Sequence, residues 1–223
     1  SNGNTRGPGN NAVTSGRMRA ILVDLADATN HTVWAASVSG GLWKTSDISA
    51  SPATWQLVND FLGNLAVTSI CQNPVNTNIM YFGTGEMNGN IGSVRGGGIW
   101  KSTDHGVTWN LLTNTTGFYN VSKVACDAAG NLYVGTVGSG AGLQRSKDGG
   151  TSWIEITPST PARGSRITDI KFSNTGRMHV TKGFDSAPEG SGYFYTDNAA
   201  NVDSLTWTKP IVPFFTQFNC EMA

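Results

Sequence analysis

Ser102-Thr103-Asp104-His105-Gly106-Val107-Thr108-Trp109 and Ser146-Lys147-Asp148-Gly149-Gly150-Thr151-Ser152-Trp153 are two copies of one pattern, S-x-D-x-G-x-[TS]-W. Two looser copies flank them. Thr45-Ser46-Asp47 reaches Thr54-Trp55 through a longer loop, and Tyr195-Thr196-Asp197 reaches Thr206-Trp207 through one longer still. A motif recurring at a spacing of roughly 45 to 55 residues marks a repeat architecture, in which each unit buries its apolar faces against its neighbours.

Around each copy the same four short apolar segments recur. The first reads Met18 to Val23, Val67 to Cys71, Val121 to Cys126 and Ile167 to Phe172, and the second Val33 to Ala36, Met80 to Gly83, Leu132 to Gly135 and Met178 to Thr181. The second segments are short and apolar enough to be buried on both faces. The third precede the Asp motif as Gly41 to Lys44, Gly98 to Lys101, Gly142 to Arg145 and Gly192 to Tyr195, and the fourth start at the Trp. Four short antiparallel strands per repeat predict an all-β fold, a β-propeller of four-stranded blades. The expected division is an extension over 1–15, blades over 16–63, 64–116, 117–164 and 165–210, and the start of a fifth blade over 211–223, led by a strand from Phe215 to Cys220. A ring needs several units to close and the fifth repeat shows only its opening strand, so the expectation is a section of a propeller of about seven blades or of a larger array, with a self-contained small propeller as the rival.

The Asp motif needs no reaction to explain it. A carboxylate and a hydroxyl can accept the backbone N–H groups of the turn between strands three and four, a glycine supplies positive φ, and the Trp covers the turn. Asp47 and Trp55; Ser102, Asp104, Gly106 and Trp109; Ser146, Asp148, Gly150 and Trp153; and Asp197 and Trp207 are therefore read as structural. The pattern resembles the Asp-box (BNR) repeat of sialidases, xyloglucan hydrolases, the sortilin family and secreted bacterial propellers. More narrowly, Gly83-Thr84-Gly85-Glu86 and Arg95-Gly96-Gly97-Gly98-Ile99-Trp100-Lys101 are similar to segments of large secreted or cell-surface bacterial proteins. That resemblance implies a secreted or cell-surface location and further domains in the same polypeptide. It departs from the enzymes in two places: the Arg-Ile-Pro of sialidases is absent, and Val38 stands where xyloglucan hydrolases carry a catalytic Asp ahead of Gly40-Gly41.

Composition narrows the partners. Charged residues are 13% of the chain, 28 residues are Gly, and 15 basic residues balance 15 acidic ones with no block of either sign. That leaves no electrostatic footprint for nucleic acid, and no apolar run has the length of a bilayer-spanning helix. No cofactor is implied, and no C-x-x-C or EF-hand spacing points to a metal. Cys71, Cys126 and Cys220 fall near the end of the first strand in three repeats. Equivalent positions in different blades are expected to lie beyond the roughly 7 Å between Cα atoms that a disulfide spans, which predicts free, buried thiols.

Candidate ligand groups come from the uneven loops between strands two and three, opposite the Asp motifs. These carry Glu86, Asn88 and Arg95 in one long loop, and Lys182, Asp185 and Glu189 in the other. Glycoside hydrolysis requires two carboxylates about one bond, making Glu86 with Asp185 or Glu189 the weak catalytic candidates; charged side chains in such loops are otherwise simply solvated. The first reading is a non-catalytic binding or adhesion propeller for a glycan or protein. The alternatives are a sialidase- or xyloglucanase-like glycoside hydrolase fragment and a purely structural spacer.

Overall fold

The computed structural model describes residues 17–58, 66–86, 94–137, 142–158, 166–183, 191–201 and 207–210, together with the backbone of a two-strand ladder, β1 (Asn4–Thr5) against β2 (Val13–Thr14). All the extended segments form antiparallel sheets of neighbours in sequence. Sheet one is β3 (Met18–Val23), β4 (Val33–Ser37), β5 (Gly41–Thr45) and β6 (Gln56–Leu57), and sheet two is β7 (Val67–Gln72), β8 (Met80–Thr84), β9 (Ile99–Ser102) and β10 (Asn110–Leu111). Sheet three is β11 (Asn120–Cys126), β12 (Leu132–Val137), β13 (Leu143–Ser146) and β14 (Ile154–Glu155). Sheet four is β15 (Arg166–Phe172), β16 (Met178–Gly183) and β17 (Gly192–Thr196), with a single bridge from Tyr195 to Thr208 in place of a fourth strand. The fourth strands start after the motif Trp rather than at it. Trp109 Nε1 donates to Gly106 O at 3.1 Å, so that residue belongs to the turn, and Asn110 is the first to pair. The expected strand from Phe215 to Cys220 lies outside the described residues.

The second strand of each sheet explains how the sheets meet. Every residue of β4, β8 and β12 is buried, so neither face of the sheet can be left to water. Three apolar layers result. Trp34, Ala36 and Leu42 of sheet one face Val67, Ile70, Met80 and Phe82 of sheet two. Cys71, Tyr81 and Ile99 of sheet two face Val121, Val124, Leu132 and Val134 of sheet three. Tyr133, Leu143 and Ile156 of sheet three face Ile167, Ile170, Met178 and Val180 of sheet four.

Approach is set at one register position. A Cβ added to Gly83 would lie 2.2 Å from Val121 Cγ1, and one added to Gly135 would lie 2.6 Å from Ile167 Cγ2. Beside this contact each first strand carries a bulge, at Arg19, Thr68, Ser122 and Thr168. The Thr68 hydroxyl donates to Val121 O of the next sheet at 2.6 Å, and the Ser122 hydroxyl donates to Ile167 O in the same way. The bulge thus lets the hydroxyl reach across the interface, while Thr68 Oγ1 also lies 3.1 Å from Gly83 O of its own sheet. Gly83→Val should overpack the second interface and lower stability by about 1–3 kcal/mol, read from the denaturant midpoint, because the facing β-branched residue has no room to retreat.

The two full Asp motifs are alike in detail. Asp104 accepts from Ser102 Oγ at 2.8 Å, Thr108 N at 2.8 Å and Thr108 Oγ1 at 2.6 Å, while Ser102 Oγ accepts Gly106 N at 2.8 Å. Asp148 repeats this with Ser146, Ser152 and Gly150. Gly106 has φ +78°, and a Cβ there would strike Trp34 of the preceding sheet at 2.3 Å, so conformation and packing both require it. The looser copies differ. Asp47 accepts from Ser49 N and Oγ and lies 3.6 Å from His31 Nδ1, and Trp55 is 36% exposed. Asp197 is instead held by Arg177, with Nε 2.6 Å and Nη2 3.0 Å from its oxygens.

The hydroxyl and amide of Thr108, with Ser102, hold the Asp104 carboxyl down to about 2 from 3.8. A depressed carboxyl stabilises the fold above its unfolded value, and that contribution disappears as pH falls through the folded one. Asp104→Asn should therefore flatten the acid dependence of the denaturant midpoint between pH 3.8 and about 2.

Candidate functional site

First strands begin, and second strands end, at the edge opposite the Asp motifs, here termed the loop end. β8 is buried throughout and stops at Thr84, where Gly85 at φ +102° turns the chain and donates to Ala66 O at 2.9 Å. The turn carries Glu86 inward, and this residue is only 1% exposed. A solvated loop acid was the expectation; the structure buries it because a cation from the preceding sheet reaches it. Arg17 Nη2 lies 2.6 Å from Oε1 as an ion pair off the hydrogen-bond axis, and Val94 N donates to Oε2 at 3.2 Å. Val38, itself buried, stands beside this pair and donates its N–H to Arg17 O at 3.2 Å.

Of the other candidates, Arg95 lays its guanidinium 4.2 Å over the ring of Tyr119. The adjacent Gly96 donates to Asn120 Oδ1 at 3.1 Å, which ties the loop of sheet two onto the start of β11. Lys182 is buried in β16, two sheets away from Glu86, at the register position that Ser37, Thr84 and Thr136 occupy elsewhere. Asn88, Asp185 and Glu189 lie outside the described residues, so Glu86 is the one proposed catalytic acid that the structure places. Among the described residues no group of three or more His, Cys, Asp or Glu could hold a metal ion, and no helix is long and apolar enough to cross a membrane.

Sequence reasoning missed the cations. Arg17 is 69 positions from Glu86 and no local pattern joins them. A second pair, Lys123 Nζ to Asp169 Oδ1 at 2.8 Å, was legible in principle: both residues follow the bulge of their first strands, so successive repeats carry opposite charges at one position. Each of these two buried acids of the loop end is thus met by a cation from the sheet before it.

The motif end is built differently. The Asp24 carboxylate accepts from Trp34 Nε1 at 3.1 Å, Gln72 Nε2 at 3.0 Å and Ala26 N at 2.9 Å, and His105 Nε2 stands 2.7 Å from Oδ2. Burial raises its pKa, yet these four partners together hold it below the usual range. The carboxylate in this His–Asp contact is already filled by fixed donors. The contact is a clasp between sheets one and two. Sheets two and three repeat the idea, with Lys101 Nζ donating to Gly149 O at 2.9 Å, and so do sheets three and four, with Tyr133 and Arg145 donating to Ala199 O and Ala200 O.

No protein-family model matches the chain. A xyloglucanase from Paenibacillus sp. is 29% identical over 151 residues, 61% of this chain and 14% of that protein. A xyloglucanase from Acetivibrio thermocellus is 32% identical over 126 residues, 46% of this chain and 15% of that protein. The chain thus spans only 14 to 15% of the length of these relatives. Among solved structures, an ancestral GH74 enzyme matches with a TM-score of 0.59 at 18% identity, over 86% of this chain and 25% of its own. The extracellular domain of a one-component system of B. thetaiotaomicron matches with 0.55 at 15% identity, over 86% of this chain and 22% of its own. The fold is propeller-like.

Arg17–Glu86 and Lys123–Asp169 are thus sheet-to-sheet ion pairs of the loop end. Arg17→Ala should leave the Glu86 carboxylate buried with one amide partner and lower stability by about 1–3 kcal/mol. Glu86→Ala should cost less, because the Arg17 side chain is 56% exposed and can return to water; paired denaturant melts of the two variants measure the asymmetry.

Proposed function

We propose that this chain is a section of a polysaccharide-directed propeller of the glycoside hydrolase class, exported from the cell, with its loop end turned towards the glycan. The observation that carries the reading is the likeness, at 29% and 32% identity, to two proteins named xyloglucanases. It favours the hydrolase alternative over the adhesion module that composition and motifs put first. The extracellular sensor domain among the structural neighbours supports an exported location.

The described section supplies scaffold and wall rather than a complete catalytic pair. Glu86 is held by Arg17 and Val94, the arrangement of an anchor, and its proposed partners Asp185 and Glu189 are the acids left to supply chemistry. The S-x-D-x-G-x-[TS]-W turns, read as Asp boxes, hold the blades of that scaffold. Further blades complete it, a reading that sheet one supports: Ile21 is 71% exposed, although Ile70, Val124 and Ile170 at the same register position are buried against the sheet before them. Met18 and Val23 share that open face, which a ring of about seven blades covers.

One observation favours a second reading, a glycan- or protein-binding propeller without turnover: Val38 stands where the resemblance to xyloglucan hydrolases calls for a catalytic Asp, and it is buried. The test is release of reducing ends from xyloglucan by the purified polypeptide, alongside affinity electrophoresis in the same polymer. Cleavage supports the hydrolase. Retardation without cleavage supports the binding module, and neither effect leaves the spacer. If Asp185 or Glu189 is an acid–base group, Asp185→Asn or Glu189→Gln should lower turnover by about 100-fold or more with retardation unchanged.

A further inference from the structure

Between sheets two and three, Cys71 Sγ and Cys126 Sγ stand 3.5 Å apart. The reading of these residues as equivalent positions held apart by the ring fails on register. Cys71 pairs with Tyr81 and so matches Leu22 and Ala125, whereas Cys126 pairs with Leu132 and matches Gln72 and Phe172. The two cysteines are thus one residue out of step, and a one-residue offset in a strand turns the side chain to the opposite face. Cys71 therefore looks forward from sheet two and Cys126 looks back from sheet three, into the same layer.

We propose that Cys71 and Cys126 form a disulfide that joins sheet two to sheet three when the protein meets a disulfide oxidant. The sulfurs must close by about 1.5 Å to reach bonding distance, a displacement that small χ1 adjustments in two short side chains provide. Both thiols are free in the structure. Cys126 is the more exposed of the two and is the entry point. Its thiolate attacks one sulfur of an external disulfide such as oxidised glutathione, forming a mixed disulfide and releasing one glutathione thiolate. The Cys71 thiolate then attacks Cys126 Sγ and expels the second glutathione. Two protein S–H bonds are lost and one S–S bond forms; the two protons and two electrons leave in two molecules of reduced glutathione. Burial pushes the Cys71 thiol well up, and the neighbouring Lys123 ammonium pulls it the other way, so the second attack is the slow step. The link would close a loop of the chain between positions 71 and 126 and constrain the unfolded ensemble accordingly.

The experiment is a non-reducing peptide map of the folded polypeptide after incubation with excess oxidised glutathione, run on the unvaried chain and on Cys220→Ser. In both, the peptides bearing Cys71 and Cys126 should migrate as one covalent species that reductant separates, and the thermal midpoint should rise on oxidation. Cys71→Ala and Cys126→Ala should each abolish the cross-linked species and that rise. Two alkylatable thiols persisting at 71 and 126, a glutathione adduct that stays on Cys126, or a link from either residue to Cys220 alone would overturn the assignment. A midpoint that falls on oxidation would overturn the claim that the bond holds the sheets together.

Discussion

A sheet whose central strand has no polar face must be covered twice, and most of this structure follows from that constraint. β4, β8 and β12 give each unit two apolar sides, so no unit can stand alone and each is completed by the next. The closeness of that contact is fixed by what is missing at Gly83 and Gly135 and by what stands opposite, Val121 and Ile167. With the distance set, the bulge hydroxyls of Thr68 and Ser122 find carbonyls across the gap, and the polar contacts at either end come within reach.

The two ends use their polar groups to different purpose. At the motif end three carboxylates are spent within the protein: Asp104 and Asp148 on their own turns, and Asp24 on Trp34, Gln72, Ala26 and His105. A carboxylate with its lone pairs filled by fixed donors has little left for a ligand or a proton transfer. The loop end instead carries ion pairs, and side chains of Arg95 and Tyr119 stack there at the surface.

Much of the architecture was legible in the sequence because the fold repeats. The first strand at Met18–Val23 and the double burial of the second strands follow from periodicity, and the chemistry of Ser102, Asp104 and Thr108 follows from their spacing. What escaped is whatever depends on register at single-residue precision or on contacts between repeats. Cys71 and Cys126 look equivalent when repeats are aligned by eye at the strand end, and only the ladder pairing shows them offset. Glu86 looked solvated since nothing local announces Arg17, and burial of a charge is decided by a partner rather than by the loop that carries it. Trp55 and Asp197 match the motif in spelling, yet Trp55 is half exposed and Asp197 is held by Arg177 rather than by its own turn.

The bulge hydroxyl has a consequence for how such a chain can change over time. Thr68 and Ser122 each reach forward to a carbonyl at the same address in the following unit, Val121 and Ile167, without regard to which residue bears it. A backbone acceptor is indifferent to substitution, so a duplicated or deleted unit finds its docking point ready made provided that the break falls between units. Gene segments coding for whole units can then be copied or lost as blocks. Growth in this lineage of folds is quantised by the repeat.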